Sequence, residues 1–277
     1  MGTPRAFDLA RRVGLLAFAF VAVVLPLWLV LVNSLKVGGE ANALGLGLPQ
    51  EWAATENYGT VFFDGEFVRG LGNTLLVAIP TIVIVVVLGG LASWAIARSR
   101  RRAATLLYYL SISGVLIPPA IVTSIAVLRA LGVHGTHLGL VLFYSGIFMA
   151  FAVFLVTGFV KTIPFELEEA ARIDGAGSMT IFFRVIFPLM APISVTAGFI
   201  LLLFMWNDFW YAFFMLSGPE KRTLVLGLFN FVSGIQYQIR WNLVFANVIL
   251  VSIPLVVVFV LAQRRIVAGL LGTGGGK

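Results

Sequence analysis

The chain contains no cysteine, which excludes disulfides, thiolate metal sites and cysteine catalysis. Histidine is nearly absent as well. His134 and His137 are the only two, in a short glycine-containing stretch without a neighbouring acid, so a solvated loop is expected there and no metal site. Charge is equally scarce. Only 11% of the 277 residues are charged, while 60% are hydrophobic; a soluble domain usually carries about 25% charged residues. Such a chain cannot cover itself for water.

What is present in quantity is apolar sequence. A bilayer helix needs roughly 20 mostly apolar residues, and six runs meet this: Val13–Leu35, Thr74–Ala97, Ala104–Leu128, Leu138–Val160, Phe187–Trp206 and Leu243–Ala262. The first is too long for a cleaved signal peptide and lacks a small-residue cleavage site before Asn33, Ser34 and Lys36. The longest break, Lys36–Asn73, is polar and Gly-rich, with a short amphipathic stretch at best, and leaves no room for a soluble domain. The expectation is an all-α polytopic membrane protein, residues 1–277 forming one transmembrane domain of six helices.

Six spans place both termini on one side. Thirteen of the 19 Lys and Arg residues fall on that side and six on the other, with the cluster "ARSRRRAA" at Ala97–Ala104 as the strongest anchor. Cytoplasmic segments carry the excess of Lys and Arg, so both termini are expected in the cytoplasm. The net charge of +7 is accounted for by this rule, and no nucleic-acid partner is implied.

One stretch stands apart. "ELEEAARIDGAG", Glu166–Gly177, holds four acids and an arginine. Pro164 suits a first helical turn, and Glu166 and Glu168 favour the positive end of the dipole. Leu167, Ala170, Ala171 and Asp174 share one face at spacings of three and four. Gly175 and Gly177 then break the helix. Ser178 can cap a second helix, whose Ile181, Phe182, Val185 and Ile186 form an apolar face ended by Pro188. This is a helix–turn–helix on the cytoplasmic surface, too charged to enter the bilayer. The alanines beside Glu169 would let another surface approach closely. An ordinary interfacial loop that happens to be helical fits the same residues.

Other positions carry possible chemistry. Asn207 and Asp208 end the fifth run beside Trp206, Phe209 and Trp210. Such aromatic, amide and carboxylate groups could line a pathway, but an interfacial aromatic belt reads the same way. Pro118 and Pro119 lie inside the third run and must kink or break it. Gly89 and Gly90 permit close helix packing. Asn247 in the last run either faces a pathway or bonds a neighbouring helix.

The charged stretch resembles the signature of permease subunits of binding-protein-dependent ABC importers. That pattern is E-A-A, three residues, G, nine residues, then I-x-L-P; here it falls on Glu169, Ala170, Ala171, Gly175, Val185, Phe187 and Pro188, with Val and Phe replacing the Ile and Leu. "WNDFWYAFFML" at Trp206–Leu216 and the last run with its tail resemble the carbohydrate branch, maltose-type, although the tail "GTGGGK" departs from that branch's ending. The resemblance implies one half of a heterodimeric pore beside a second permease subunit, in a bacterial or archaeal inner membrane. It implies a coupling helix carrying Glu169, Ala170, Ala171, Asp174 and Gly175 between the fourth and fifth spans, seated in a cytoplasmic ATPase dimer that binds the ATP and Mg. It implies a sugar pathway that could include Trp206, Asn207, Asp208 and Asn247. It also implies an extracellular solute-binding protein, contacted by the loop with Gly234, Gln236, Tyr237 and Gln238. No cofactor, metal or catalytic residue is expected in this chain. It holds no G-x-x-x-x-G-K-[ST] loop to cradle phosphate, so energy from ATP must enter through another polypeptide. Rival readings keep the architecture with a non-sugar solute, or make the chain an ion-coupled carrier or a membrane enzyme. The last two lack the deep acids or the clustered His and acids they would need.

Overall fold

The computed structural model describes residues 5–233 and 239–274. Among them there is no strand, only two isolated bridges. In chain order the helices are α1 (Arg5–Ala19), α2 (Leu25–Ser34), α3 (Gly38–Ala41), α4 (Ala54–Phe63), α5 (Phe67–Arg98), α6 (Arg102–Leu116), α7 (Ile121–Ala130), α8 (His137–Val160), α9 (Glu166–Ile173), α10 (Ser178–Ile181), α11 (Phe187–Leu189), α12 (Ala191–Asn207), α13 (Trp210–Met215), α14 (Leu224–Ser233) and α15 (Trp241–Gly274). A π-turn at Phe20–Val24 joins α1 to α2, and another at Phe182–Ile186 joins α10 to α11.

Among the described residues four segments are long and apolar enough to cross a membrane singly: Arg11–Ser34, Phe67–Arg98, His137–Val160 and Trp241–Gln263. The expected runs Ala104–Leu128 and Phe187–Trp206 are not single helices. The first is α6 and α7, bent by 113° at a break; the second is Ser178–Leu189 and α12, bent by 75°. Proline lies at both. Pro118 and Pro119 have no N–H to donate and exclude helical geometry before them, leaving Ile117 and Ala120 extended. Pro192 opens α12 just after Met190.

The chain divides into two compact units. One comprises Met1–Val68 and Gly227–Pro254. Its core joins Val61, Leu243 and Ala246, with Tyr58 and Leu250 against them. The segment after the first run, read as polar and Gly-rich with a short amphipathic stretch at best, is a tied structure containing α3 and α4. Buried Lys36 donates to Asn33 Oδ1 at 3.2 Å and to the Gly45 carbonyl at 2.9 Å. Asn57 donates to the carbonyls of Ser34 and Lys36, and Asn242 donates to Asn57 Oδ1 at 2.6 Å. Backbone groups outside a helix must find partners when buried, and these amides supply them.

The other unit comprises Arg69–Leu226 and Leu255–Lys277. Close packing replaces bulk here, as the glycine pair suggests. A Cβ on Gly89 would lie 3.0 Å from Ala152 Cβ, and one on Gly90 3.1 Å from Met190 Cε. A cluster of Val156, Val160, Ile163, Ile181, Phe182, Ile186, Met190 and Ile193 closes one end. At the other end, Asn73 donates to the carbonyls of Glu220 and Arg222, and Lys221 to that of Gly135. Of the two histidines, His134 sits in the turn before α8 and His137 begins that helix. Both are half-buried, with Nε2 of His134 against the Phe214 carbonyl at 3.3 Å and Nε2 of His137 against that of Lys221 at 3.2 Å.

Candidate functional site

Two places in the second unit carry the candidate residues. The first is the helix pair around α9. Phe165 takes the N-cap position, so Pro164 precedes the helix and does not sit in its first turn. The C-terminus closes on Gly175, whose φ is +81°. Gly175 N–H donates to the Arg172 carbonyl at 3.0 Å and Ala176 N–H to that of Ala171 at 2.9 Å, the paired bonds of a Schellman ending. Ser178 does not cap α10; Gly177 occupies that position without a side-chain bond.

Helical geometry then divides α9 into two faces. Glu168 and, partly, Ala171 turn inward, Ala171 and Ala176 lying against the apolar cluster. The outward face is centred on Ala170, with Glu166, Leu167, Glu169, Ile173 and Asp174 around it, all exposed. Ile173 is 86% exposed and Met179 62%, an apolar display that packing within this chain does not use.

The inward face holds an ion pair. Glu168 is fully buried, and its Oε1 accepts from Arg98 Nε at 2.7 Å and from the Trp94 indole N–H at 3.1 Å. Arg98 Nη2 also donates to the Ile163 carbonyl at 2.8 Å. The guanidinium groups of Arg98 and Arg172 lie 5.6 and 5.7 Å from the Phe165 ring centre. Arg98 therefore has a task beyond the topology signal assigned to its basic cluster.

The second place is a cleft of about 1170 Å³ lined by α6, α8 and α12 and by the break at Ile117–Ala120. Its walls are mostly apolar and aromatic, with Phe148, Phe151 and Phe204 among them, and Tyr144, Asn207, Asp208 and Tyr211 supply the polar groups. Irregular backbone at membrane depth persists where it is buried or lines a cavity, and the double-proline break does the latter. Asp208 is heavily engaged. Its Oδ2 accepts from Tyr144 OH at 2.6 Å and Ala212 N–H at 3.0 Å, and its Oδ1 from Tyr211 N–H at 3.3 Å. It thereby caps α13. Burial, then the Asp208 carboxylate, raises the Tyr211 phenol above its ordinary value, so it remains a neutral hydroxyl. Asn207 is exposed and donates to the Leu203 carbonyl at 2.8 Å.

The remaining candidates do not join this cleft. Trp206 is buried and is not among its lining residues. Asn247 belongs to the first unit, buried, with no hydrogen-bond partner for its Oδ1. Gly234, Gln236, Tyr237 and Gln238 lie outside the described residues.

The family description "Binding-protein-dependent transport system inner membrane component" matches residues 73–271, which include α9 and the whole cleft. The chain belongs to that family. This transport-system membrane component is 31% identical to the melibiose/raffinose/stachyose import permease protein MelC of Bacillus subtilis, over 89% of each chain. It is 34% identical to the trehalose transport system permease protein SugB of Mycobacterium tuberculosis, over 78% of this chain and 79% of that one. It is 30% identical to the diacetylchitobiose uptake system permease protein NgcG of Streptomyces coelicolor, over 92% and 84%. Its fold matches a chain of a bacterial ABC transporter involved in the import of the acidic polysaccharide alginate, with a TM-score of 0.83 at 22% identity, over 95% of this chain and 99% of that one. It is thus a multi-pass inner-membrane component of an ABC transport system.

Sequence reasoning gave Glu168 only a dipole role and Arg98 only a topology role in this family member, and passed over Trp94 and Tyr144. Only one signal was available for the first. Phe165, Glu168 and Ala171 recur every three residues, a stripe that would turn inward together.

Proposed function

We propose that this chain is the permease subunit of a binding-protein-dependent ABC importer for a sugar and forms half of the pore with a second permease subunit. The single observation that carries the reading is the outward face of α9: exposed, small at Ala170, ringed by acids and Ile173, in a chain without a phosphate-cradling loop. In this reading residues 1–277 form one domain of six spans, each bent pair counting once, with both termini cytoplasmic. α9 is the coupling helix. Glu169, Ala170 and Asp174 meet a cytoplasmic ATPase dimer that holds the ATP and Mg, while Ala171 and Gly175 hold the helix in shape. Closure of that dimer draws the coupling helices together and turns the pore outward, a switch between two discrete states.

The sugar assignment draws support from the relatives, whose names give oligosaccharides, and from the cleft. Its rings offer stacking surfaces and Asn207 offers an exposed amide. Asp208 acts there by holding Tyr144 and α13 in place. The loop with Gly234, Gln236, Tyr237 and Gln238 receives the extracellular binding protein.

Copurification tests this reading. The tagged chain is expressed at native level, solubilised gently and compared with Glu169→Lys and Gly175→Pro. The expected result is a second permease and an ATPase with the wild type, and loss of the ATPase in both variants. A chain that purifies alone and moves solute by itself in vesicles would overturn it.

A further inference from the structure

We infer that Glu168 is a positioning residue that clamps α9 to the end of α5 through Arg98, so that any displacement of α9 is carried into α5. This rests on the reading of α9 as the coupling helix. An isolated helix of eight residues is marginal without anchors, and the anchors of α9 are of two kinds. Ala171 and Ala176 rest on the apolar cluster; such contact is non-directional and lets a short helix slide. The Glu168 contacts are directional. One carboxylate oxygen takes both Arg98 Nε and the Trp94 indole, two groups one turn apart in the last two turns of the 32-residue α5. Arg98 then reaches past the carboxylate to the Ile163 carbonyl, tying in the chain that leads into α9. Both guanidinium groups lie against the Phe165 ring.

Stability alone is a poor reason for this arrangement. A buried ion pair generally contributes no more than apolar residues of similar volume would, while removal of one partner is costly. What such a pair supplies is a fixed relative position. The second oxygen of Glu168 has no hydrogen bond, and Arg172 Nη2 on α9 itself stands 3.9 Å from it. The hydrogen-bonded contacts of the carboxylate therefore run to α5.

The absence of cysteine makes a clean test possible. A nitroxide is attached to Leu88→Cys, on the exposed side of α5. Its spectrum is recorded in the copurified complex, nucleotide-free and trapped with ATP and vanadate, in four backgrounds: otherwise wild type, Glu168→Gln, Arg98→Lys, and the pair Glu168→Leu with Arg98→Met. The ATPase should copurify with all four. The nucleotide-driven change at position 88 should fall at least about five-fold in Glu168→Gln and persist in part in Arg98→Lys. It should stay lost in the uncharged pair even though folding recovers there, which a merely stabilising contact would not produce. The inference is overturned if Glu168→Gln or the uncharged pair keeps the change, or if the wild type shows none. It is also overturned if Glu168→Gln accumulates without the ATPase, since the residue then only shapes the docking face. Where Glu168→Gln fails to accumulate, the uncharged pair decides, and failure of that pair too overturns the inference in favour of a stabilising role. A wild-type chain that brings no ATPase fails the coupling-helix reading itself, and is seen before any variant is compared.

Discussion

At the scale of single residues, Gly175 and Asp208 show how much one position can hold. Gly175 has φ +81° with open space where a Cβ would stand, so a side chain there meets backbone strain and no clash. Gly175→Ala is expected to lower stability by about 1 kcal/mol, and Gly175→Asn by less, because Asn tolerates the left-handed region. Thermal midpoints of the detergent-solubilised variants check the order. Asp208 stands as an acid at the end of an apolar run, which invites an ion-coupling role. Its three acceptor bonds argue for capping. Asp208→Ala should cost about 1–2 kcal/mol through the two freed backbone amides of α13. A cycle of Asp208→Asn with Tyr144→Phe should show a coupling of about 1 kcal/mol through the 2.6 Å bond. Near-additive values in that cycle would show that the bond does not hold the two helices.

At the scale of elements, the two bent pairs are the decisive departures from simple spans. A straight 25-residue helix over Ala104–Leu128 would leave no irregular backbone at depth. The prolines instead turn α6 into α7 by 113° and open the wall of the cleft. Pro118→Ala combined with Pro119→Ala should let the helix continue and narrow the cleft. Labelling of an introduced Asn207→Cys by a hydrophilic thiol reagent should then slow several-fold relative to the proline-containing chain, and an unchanged rate would mean that the bend is held by packing elsewhere. The second bend has packing behind it. Its first arm, Ser178–Leu189, buries Ile181, Phe182 and Ile186 in the cluster under α9, so the apolar face expected there does form.

At the scale of the whole molecule, the six-span reading is tested by sidedness. With no native cysteine, a single cysteine at Arg100 should react with an impermeant maleimide only from the cytoplasmic side, and one at Leu48 only from outside. Reaction of both from one side would remove the topology on which α9 is placed beside an ATPase. The apolar runs and the helix–turn–helix were legible because they depend on composition and short-range period. The ends and bends were less so, because a proline signals a break but not its angle or what the broken ends will face. The 36–57 segment was passed over as polar sequence. Its order comes from Asn57, whose partners lie 21 to 185 residues away in the chain.

The sequence by itself determined that this chain is built from apolar membrane helices, that a charged helix stands apart from them, and that glycine ends that helix. Each of these follows from the preferences of a residue and its near neighbours. Only the tertiary structure decided that Glu168 and not Glu169 turns inward, that Arg98 is a partner as well as a topology signal, and that the double proline opens a cleft. Those outcomes depend on groups that meet across the fold. Glu168 is separated by 70 and 74 residues from Arg98 and Trp94, and no local period records that a buried carboxylate will find its counter-charge there.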